Sequence, residues 1–127
     1  MNIFLNKKIL IYGLGKSGLS AYKFLKNKNK IFLYDDFQIN FKSKEIKKKL
    51  IEKKDLLSFN FDKIILSPGI DIDNCKLSNF LKRNKRKIYS DLDVFYSFYK
   101  NDCITITGTN GKSTTCQLLY EILLNHK

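Results

Sequence analysis

Long apolar runs are absent from the sequence, which excludes a membrane-spanning helix, and the first residues carry no signal-peptide pattern. Cysteine is also sparse, because Cys75, Cys103 and Cys116 lie far apart and lack the spacing of zinc ligands or of a disulfide framework. We therefore expect reduced, partly buried thiols in a cytoplasmic protein that binds no membrane.

Acidic residues are few for the number of basic ones: 24 lysines and arginines face 12 acidic residues, giving a net charge of +12. The lysines are spread along the whole chain between apolar positions, as on solvated helix faces. No helix-turn-helix pattern and no aromatic-plus-basic motif accompanies them, so we expect no nucleic-acid partner. Nucleic-acid binding stays an alternative that rests on charge alone. A basic surface favours phosphate-bearing ligands in general.

The order of apolar runs predicts an α/β fold. A length of 127 residues allows one compact domain but not two complete ones. Short strand-like runs alternate with stretches of helical periodicity, which is typical of a Rossmann-like, doubly wound parallel sheet. The predicted strands are residues 8–12, 31–34, 63–66 and 87–89, and the predicted helices are residues 17–27, 44–54, 74–84 and 91–99.

The pattern then begins again near the C-terminal end of the sequence. Residues 103–107 are predicted to form another buried strand, and residues 112–125 a helix that follows a glycine loop. We place a domain boundary after Asn101, with a first domain at residues 1–101 and the start of a second at 102–127. One strand and one helix cannot bury a core, so we expect the second domain to be incomplete here.

Gly13, Gly15 and Gly18 form a G-x-G-x-x-G motif between the first predicted strand and the first predicted helix. The motif allows a tight turn and brings an anion close to the helix N-terminus, and Asp35 ends the next strand where a ribose hydroxyl could bind. By itself it indicates a nicotinamide or flavin cofactor. The alternative is that the glycines serve helix–strand packing only.

A second glycine loop, at residues 107–114, resembles a P-loop but has Ile106 where the strict pattern requires glycine. Its backbone N–H groups can surround phosphates, Lys112 can reach the β- and γ-phosphates, and the Ser113 hydroxyl can join a Mg²⁺ shell. The alternative is a glycine loop with a solvent-exposed lysine. The predicted ATP-binding residues are Gly108, Thr109, Asn110, Gly111, Lys112, Ser113 and Thr114, with Lys112 as the catalytic residue.

Two further segments follow predicted strands at the same edge of the sheet, where ligands of such folds bind. Ser67, Pro68 and Gly69 follow the third strand, and the alternative interpretation of Pro-Gly is an ordinary turn. Residues 90–93 follow the fourth strand, and there a helix N-cap is the favoured interpretation.

A protein that holds a nucleotide-linked substrate and also consumes ATP needs both phosphate-binding motifs. The sequence resembles the Mur ligase family, and within it the D-glutamate-adding branch. The resemblance covers the whole chain and rests on residues 13–20, 67–70, 91–93 and 107–114. The last of these motifs is the family's own P-loop variant, which accounts for Ile106.

The resemblance implies an ATP-dependent amide ligase of peptidoglycan precursor synthesis, with Mg²⁺ as its metal. ATP would phosphorylate the carboxylate of UDP-N-acetylmuramoyl-L-alanine, and the amine of D-glutamate would attack the acyl phosphate. Members of the family often carry an arginine where this chain has Phe37. By resemblance the UDP-sugar would be bound by Gly15, Lys16, Ser17, Asp35, Asp36, Ser67, Pro68 and Gly69.

The family's remaining acidic and histidine metal ligands, its modified lysine and its third domain are not among these residues. We therefore expect the 127 residues to be an N-terminal fragment that is inactive alone and whose partner is the C-terminal part of the ligase. Two alternatives remain besides nucleic-acid binding. One is a nicotinamide-dinucleotide-binding regulatory domain, which leaves the loop at 107–114 unexplained, and the other is a non-functional remnant.

Overall fold

The computed structural model describes residues 2–37 and 41–125. Its centre is one sheet of four strands, all parallel, in the order β2-β1-β3-β4. This confirms the predicted α/β class and the four strands predicted between residues 8 and 89. The strands are β1 (Lys8–Tyr12), β2 (Lys30–Tyr34), β3 (Lys63–Leu66) and β4 (Ile88–Tyr89).

Helices connect the strands and cover both faces of the sheet. The longest of those before residue 102 are α1, which is followed by a 3-10 turn, and α5, which begins with a capping box. The helices are α1 (Lys16–Leu25), α2 (Lys44–Lys47), α3 (Lys53–Leu56), α4 (Ser78–Arg83), α5 (Asp91–Phe98) and α6 (Lys112–Asn125). None of those in residues 2–37 and 41–125 is long and apolar enough to cross a membrane.

Each face of the sheet has its own apolar cluster, because successive side chains of a strand point to opposite faces. Ile9 and Ile11 of β1 pack on one face in a cluster that includes Val94 of α5. Leu10 lies on the other face in a cluster that includes Leu81 of α4. Since both faces are covered, the strands carry near-continuous apolar runs rather than an alternating pattern. This is the doubly wound arrangement that the sequence predicts.

The prediction of a single helix at residues 44–54 is wrong, because the structure has two separate short helices, α2 and α3, in this region. Between them the chain extends along the free edge of β2: the Leu33 N–H donates to the Lys49 carbonyl at 2.9 Å, and the Ile51 N–H donates to the Leu33 carbonyl at 3.0 Å. These two bonds satisfy edge groups of β2 that a continuous helix would leave unpaired.

The helix predicted at 74–84 is shorter than expected and begins at Ser78. Just before it, the Asp71 carboxylate accepts hydrogen bonds from the Asp73 N–H at 2.9 Å and from the Asn74 side chain at 2.6 Å. Asp and Asn side chains compete in this way with helical hydrogen bonds and favour turns. Helical periodicity alone did not reveal that competition.

The prediction of a buried strand at residues 103–107 is also wrong. These residues pair with no strand among the described residues, and 67% of the Ile104 surface is exposed. A strand requires a neighbour for its backbone hydrogen bonds, and the described part of the chain contains no second sheet to supply one. Cys103 and Cys116 are exposed, so the expectation of partly buried thiols is wrong for these two residues. It is confirmed only for Cys75, which is half-buried. Helix α6 forms as predicted.

Candidate functional site

The strand order reverses between β1 and β3, and in folds of this kind the ligand crevice lies at that switch point, at the carboxyl edge of the sheet. The loop after β1 begins with the Gly13 N–H donating to the Tyr34 carbonyl at 3.0 Å. On the other side the Ser67 N–H donates to the Tyr12 carbonyl at 2.9 Å, so the loop after β3 begins beside it. Such switch points are where open parallel sheets bind their ligands.

Two glycines of the first motif are required by packing. Gly13 has a φ of +91°, and a Cβ atom there would lie 2.5 Å from the Cβ of Ser67. A Cβ atom on Gly18 would lie 1.9 Å from the Gly13 carbonyl oxygen, so helix α1 can approach the loop only with glycine at this position. The packing interpretation therefore holds for Gly13 and Gly18.

Gly15 differs from its two neighbours in the motif, because no atom lies within 4 Å of the position that its Cβ would occupy. It is the N-cap of α1, no side chain caps that helix, and its first turn contains no acidic residue. Lys16 is exposed and Ser17 is half-buried directly after it. The N-terminus of α1 thus offers backbone N–H groups and a positive end to an anion such as a diphosphate.

Asp35, at the end of β2, ties the glycine loop to that strand. Its Oδ2 accepts the Leu14 N–H at 2.6 Å, and its Oδ1 accepts the Phe37 N–H at 2.9 Å. Each carboxylate oxygen therefore already accepts one backbone hydrogen bond. Phe37 itself is 79% exposed. A direct bond from a ribose hydroxyl to Asp35, as the sequence predicts for a dinucleotide site, has to share these oxygens.

Asp36 is held by two other segments. Its Oδ1 accepts the Tyr12 hydroxyl at 2.7 Å, and its Oδ2 accepts the Lys76 N–H at 2.9 Å. Burial, followed by hydrogen bonds with Cys75 and Asp36, raises the pKa of the Tyr12 hydroxyl, which keeps it a proton donor. Sequence reasoning missed Tyr12 and Lys76. The only signal in the sequence is for Tyr12, a tyrosine that ends the aliphatic run of β1 at its carboxyl end.

The segments after β3 and β4 line a shallow cleft at the same edge. Ser67 and Pro68 lie on one side of it, and Ser90 and Asp93 lie on the other. Ser90 is the N-cap of α5: its hydroxyl accepts the Asp93 N–H at 3.2 Å, while the Asp93 carboxylate accepts the Ser90 N–H at 2.7 Å. The predicted N-cap is therefore confirmed, and the Ser90 hydroxyl serves the helix.

The second glycine loop ends at the N-terminus of α6. Gly108 and Gly111 have φ values of +150° and +76°, which glycine adopts without strain. The Lys112 Nζ bends back over the loop, where it donates to the carbonyl oxygen of Gly108 and lies 3.5 Å from that of Thr109. The ammonium group thus lies against two backbone carbonyl oxygens of its own loop.

The residues of this loop fit a nucleotide phosphate better than they fit a metal ion. Ser113 and Thr114 lie exposed in the first turn of α6, which contains no acidic side chain. Among residues 2–37 and 41–125, no three histidine, cysteine, aspartate or glutamate side chains cluster as metal ligands do. The Ser113 hydroxyl could therefore supply one ligand to Mg²⁺, with the others coming from phosphate and water.

A four-stranded parallel sheet with helices on both faces and a glycine loop at its switch point defines a Rossmann-like α/β domain. Residues 7–88 match the family model described as Mur ligase MurD-like, N-terminal domain. The chain therefore belongs to this family, which confirms the resemblance on which the sequence interpretation rests.

Curated relatives agree with the family assignment. The chain is 40% identical over 130 residues to the UDP-N-acetylmuramoylalanine--D-glutamate ligase of Rickettsia conorii, with 97% of this chain and 25% of the relative covered. Ligases of the same name from Aquifex aeolicus and Wolbachia pipientis are 36% and 33% identical, covering 91% and 97% of this chain and 25% of each relative. The chain thus spans about a quarter of the length of these relatives.

Proposed function

We propose that the chain is the nucleotide-sugar-binding domain, at residues 1–101, and the start of the ATP-binding domain, at residues 102–127, of a peptidoglycan precursor ligase. The ligase joins D-glutamate to UDP-N-acetylmuramoyl-L-alanine in the cytoplasm at the expense of ATP. One observation carries the proposal: helix α1 begins at the switch point with Gly15, whose missing Cβ leaves open space beside uncapped N–H groups.

In this proposal the diphosphate of the UDP-sugar binds Gly15, Lys16 and Ser17. Backbone N–H groups of the first turn donate to the phosphate oxygens, and the Lys16 ammonium adds a nearby positive charge. The nucleoside lies towards the end of β2, beside Asp35 and Asp36. Ser67, Pro68 and Gly69 bound the same crevice from the β3 side, which leaves the sugar and its alanine to extend along the cleft between β3 and β4.

The loop at residues 107–114 binds ATP in the same proposal. Lys112 exchanges its present bond to the Gly108 carbonyl for the β- and γ-phosphates, and the Ser113 hydroxyl contributes a ligand to Mg²⁺. A free carboxylate is a poor acyl donor, so its phosphorylation creates the leaving group that the amine of D-glutamate displaces. Lys112 offsets the negative charge that develops on the transferred phosphoryl group.

Calorimetric titration of the purified chain tests the first part of the proposal. We expect saturable binding of UDP-N-acetylmuramoyl-L-alanine and no binding of NADH, with ATP–Mg²⁺ titrated separately. Tight NADH binding without a response to the UDP-sugar would replace the proposal with a nicotinamide-binding domain. A folded chain that binds neither would contradict the assignment of the crevice.

The variant Gly15→Asp separates binding from folding. Asp is at least as good an N-cap as Gly, and the open space accepts its side chain, so we expect unchanged or slightly higher stability. The added carboxylate repels a diphosphate, so affinity for the UDP-sugar should fall roughly tenfold or more. Ser20→Asp places the same charge on an exposed position further along α1 and serves as the control. Equal losses in both variants would argue against a site at the helix N-terminus.

A further inference from the structure

The segment between β3 and α4 folds back onto the end of β2 and places one lysine there. The backbone N–H of Lys76 donates to Asp36 Oδ2 at 2.9 Å, and the side-chain Nζ of Lys76 donates to the backbone carbonyl oxygen of Asp36. The backbone and the side chain of Lys76 therefore both donate hydrogen bonds to Asp36, at the carboxyl edge of the sheet.

The position of Lys76 is determined by the buried side of the same cluster. The Tyr12 hydroxyl donates to Asp36 Oδ1 at 2.7 Å, and Tyr12 is fully buried in the central strand β1. The Asp36 carboxylate thus links the sheet to the segment that carries Lys76. Asp36 serves as a structural link, and it holds the exposed Lys76 ammonium at the carboxyl end of β2.

No carboxylate forms an ion pair with Lys76 among residues 2–37 and 41–125. The acids on its own segment are engaged elsewhere, because Asp73 pairs with Lys82 at 2.8 Å and Asp71 accepts from Asn74 and from the Asp73 N–H. The only bond of the Lys76 ammonium in this part of the chain is to a neutral carbonyl. Its charge and its other N–H donors are therefore available to a ligand.

In a switch-point site the nucleoside lies at the end of the second strand, and the diphosphate lies at the helix N-terminus. Ribose hydroxyl oxygens and uracil carbonyl oxygens accept hydrogen bonds, which the carboxylates of Asp35 and Asp36 cannot donate when ionised. Resting on the proposed nucleotide-sugar binding, we propose that Lys76 is a specificity-determining residue that donates a hydrogen bond from Nζ to an oxygen of the bound nucleoside.

The test compares UDP with inorganic pyrophosphate as calorimetric ligands of the intact chain. Lys76→Met removes the ammonium but keeps the backbone N–H bond to Asp36, so the fold should persist, as thermal unfolding can verify. We expect Lys76→Met to weaken UDP binding about five- to tenfold and to leave pyrophosphate binding unchanged, since one charge-assisted hydrogen bond is lost. Lys76→Arg should retain UDP affinity within about threefold, because it keeps a cationic donor.

Lys85→Met removes the same charge from another exposed lysine and should leave UDP binding unchanged. An equal loss for UDP and pyrophosphate in Lys76→Met would overturn the assignment to the nucleoside, and so would unchanged UDP binding. Either result leaves the proposed function in place as long as the unmodified chain binds UDP. If the unmodified chain fails to bind UDP, the proposed function is wrong and the role of Lys76 is lost with it.

Discussion

The Tyr12 hydroxyl donates a hydrogen bond of 2.7 Å to Asp36 Oδ1, which joins the central strand of the sheet to the turn that follows its neighbour. Tyr12 is fully buried, so water cannot replace this contact without rearrangement of the core. Because Asp36 also accepts the Lys76 N–H, the same carboxylate holds a third segment in place.

Replacement of Tyr12 by Phe should therefore destabilise the fold. The variant removes one donor from the Asp36 carboxylate, and we expect the free energy of unfolding to fall by about 1–2 kcal/mol. Urea unfolding measures the change. Tyr96→Phe is the matched control, because Tyr96 is 50% exposed, and it should leave stability unchanged. Equal stability of the two variants would show that the hydrogen bond contributes nothing.

Gly13 and Gly69 should respond differently to the same substitution. Gly13→Ala forces a φ of +91° on an L side chain and places its Cβ 2.5 Å from that of Ser67, so we expect a loss of roughly 2–4 kcal/mol in unfolding free energy. Gly69→Ala meets no atom within 4 Å and should change stability by less than about 0.5 kcal/mol. Thermal and urea unfolding compare the two, and similar losses would contradict the packing role of Gly13.

The hydroxyl group of Tyr22 makes the free energy of unfolding depend on pH in the alkaline range. Burial, followed by its hydrogen bond to Glu45, raises the pKa of Tyr22 from 10.0 to about 12. The native protein keeps this proton where the unfolded chain releases it, so the contribution to stability is complete below pH 10 and is lost as the pH rises towards 12.

In that pH range one such tyrosine lowers the free energy of unfolding by up to about 1.4 kcal/mol per pH unit. Tyr22→Phe should therefore show a shallower fall than the unmodified chain in urea unfolding between pH 10 and 12. Tyr120→Phe changes a tyrosine that is 59% exposed and should keep the original slope. Parallel curves for all three proteins would exclude a perturbed pKa at Tyr22.

Removal of residues 102–127 tests the predicted domain boundary. Residues 103–107 form no strand, and the apolar side chains Ile104, Leu118 and Leu123 are at least half exposed, so they contribute little to the core of the first domain. We expect the truncated chain to unfold within about 0.5 kcal/mol of the unmodified one. Its affinity for the UDP-sugar should be unchanged, and its affinity for ATP should disappear. A large loss of stability would place the boundary elsewhere.

The pattern of apolar runs predicted the parallel sheet because strands buried on both faces need near-continuous apolar sequence, as in Ile9–Tyr12. The same pattern gave a wrong prediction at residues 44–54. Helical periodicity is present there, but the backbone hydrogen bonds of Leu33 with Lys49 and Ile51, at the edge of β2, compete with a continuous helix. The pattern failed again at residues 103–107, since an apolar run becomes a strand only beside a second strand.

The sequence by itself determined the class of fold and the position of both glycine loops, because glycine spacing and strand–helix order are local properties of the chain. Only the tertiary structure decided what the side chains around the first loop do. It left open space at Gly15, engaged Asp35 and Asp36 in structural hydrogen bonds, and brought Lys76 to the end of β2. Lys76 lies 40 residues from Asp36 in the sequence, and a contact between distant residues depends on how the strands and loops pack rather than on any local pattern.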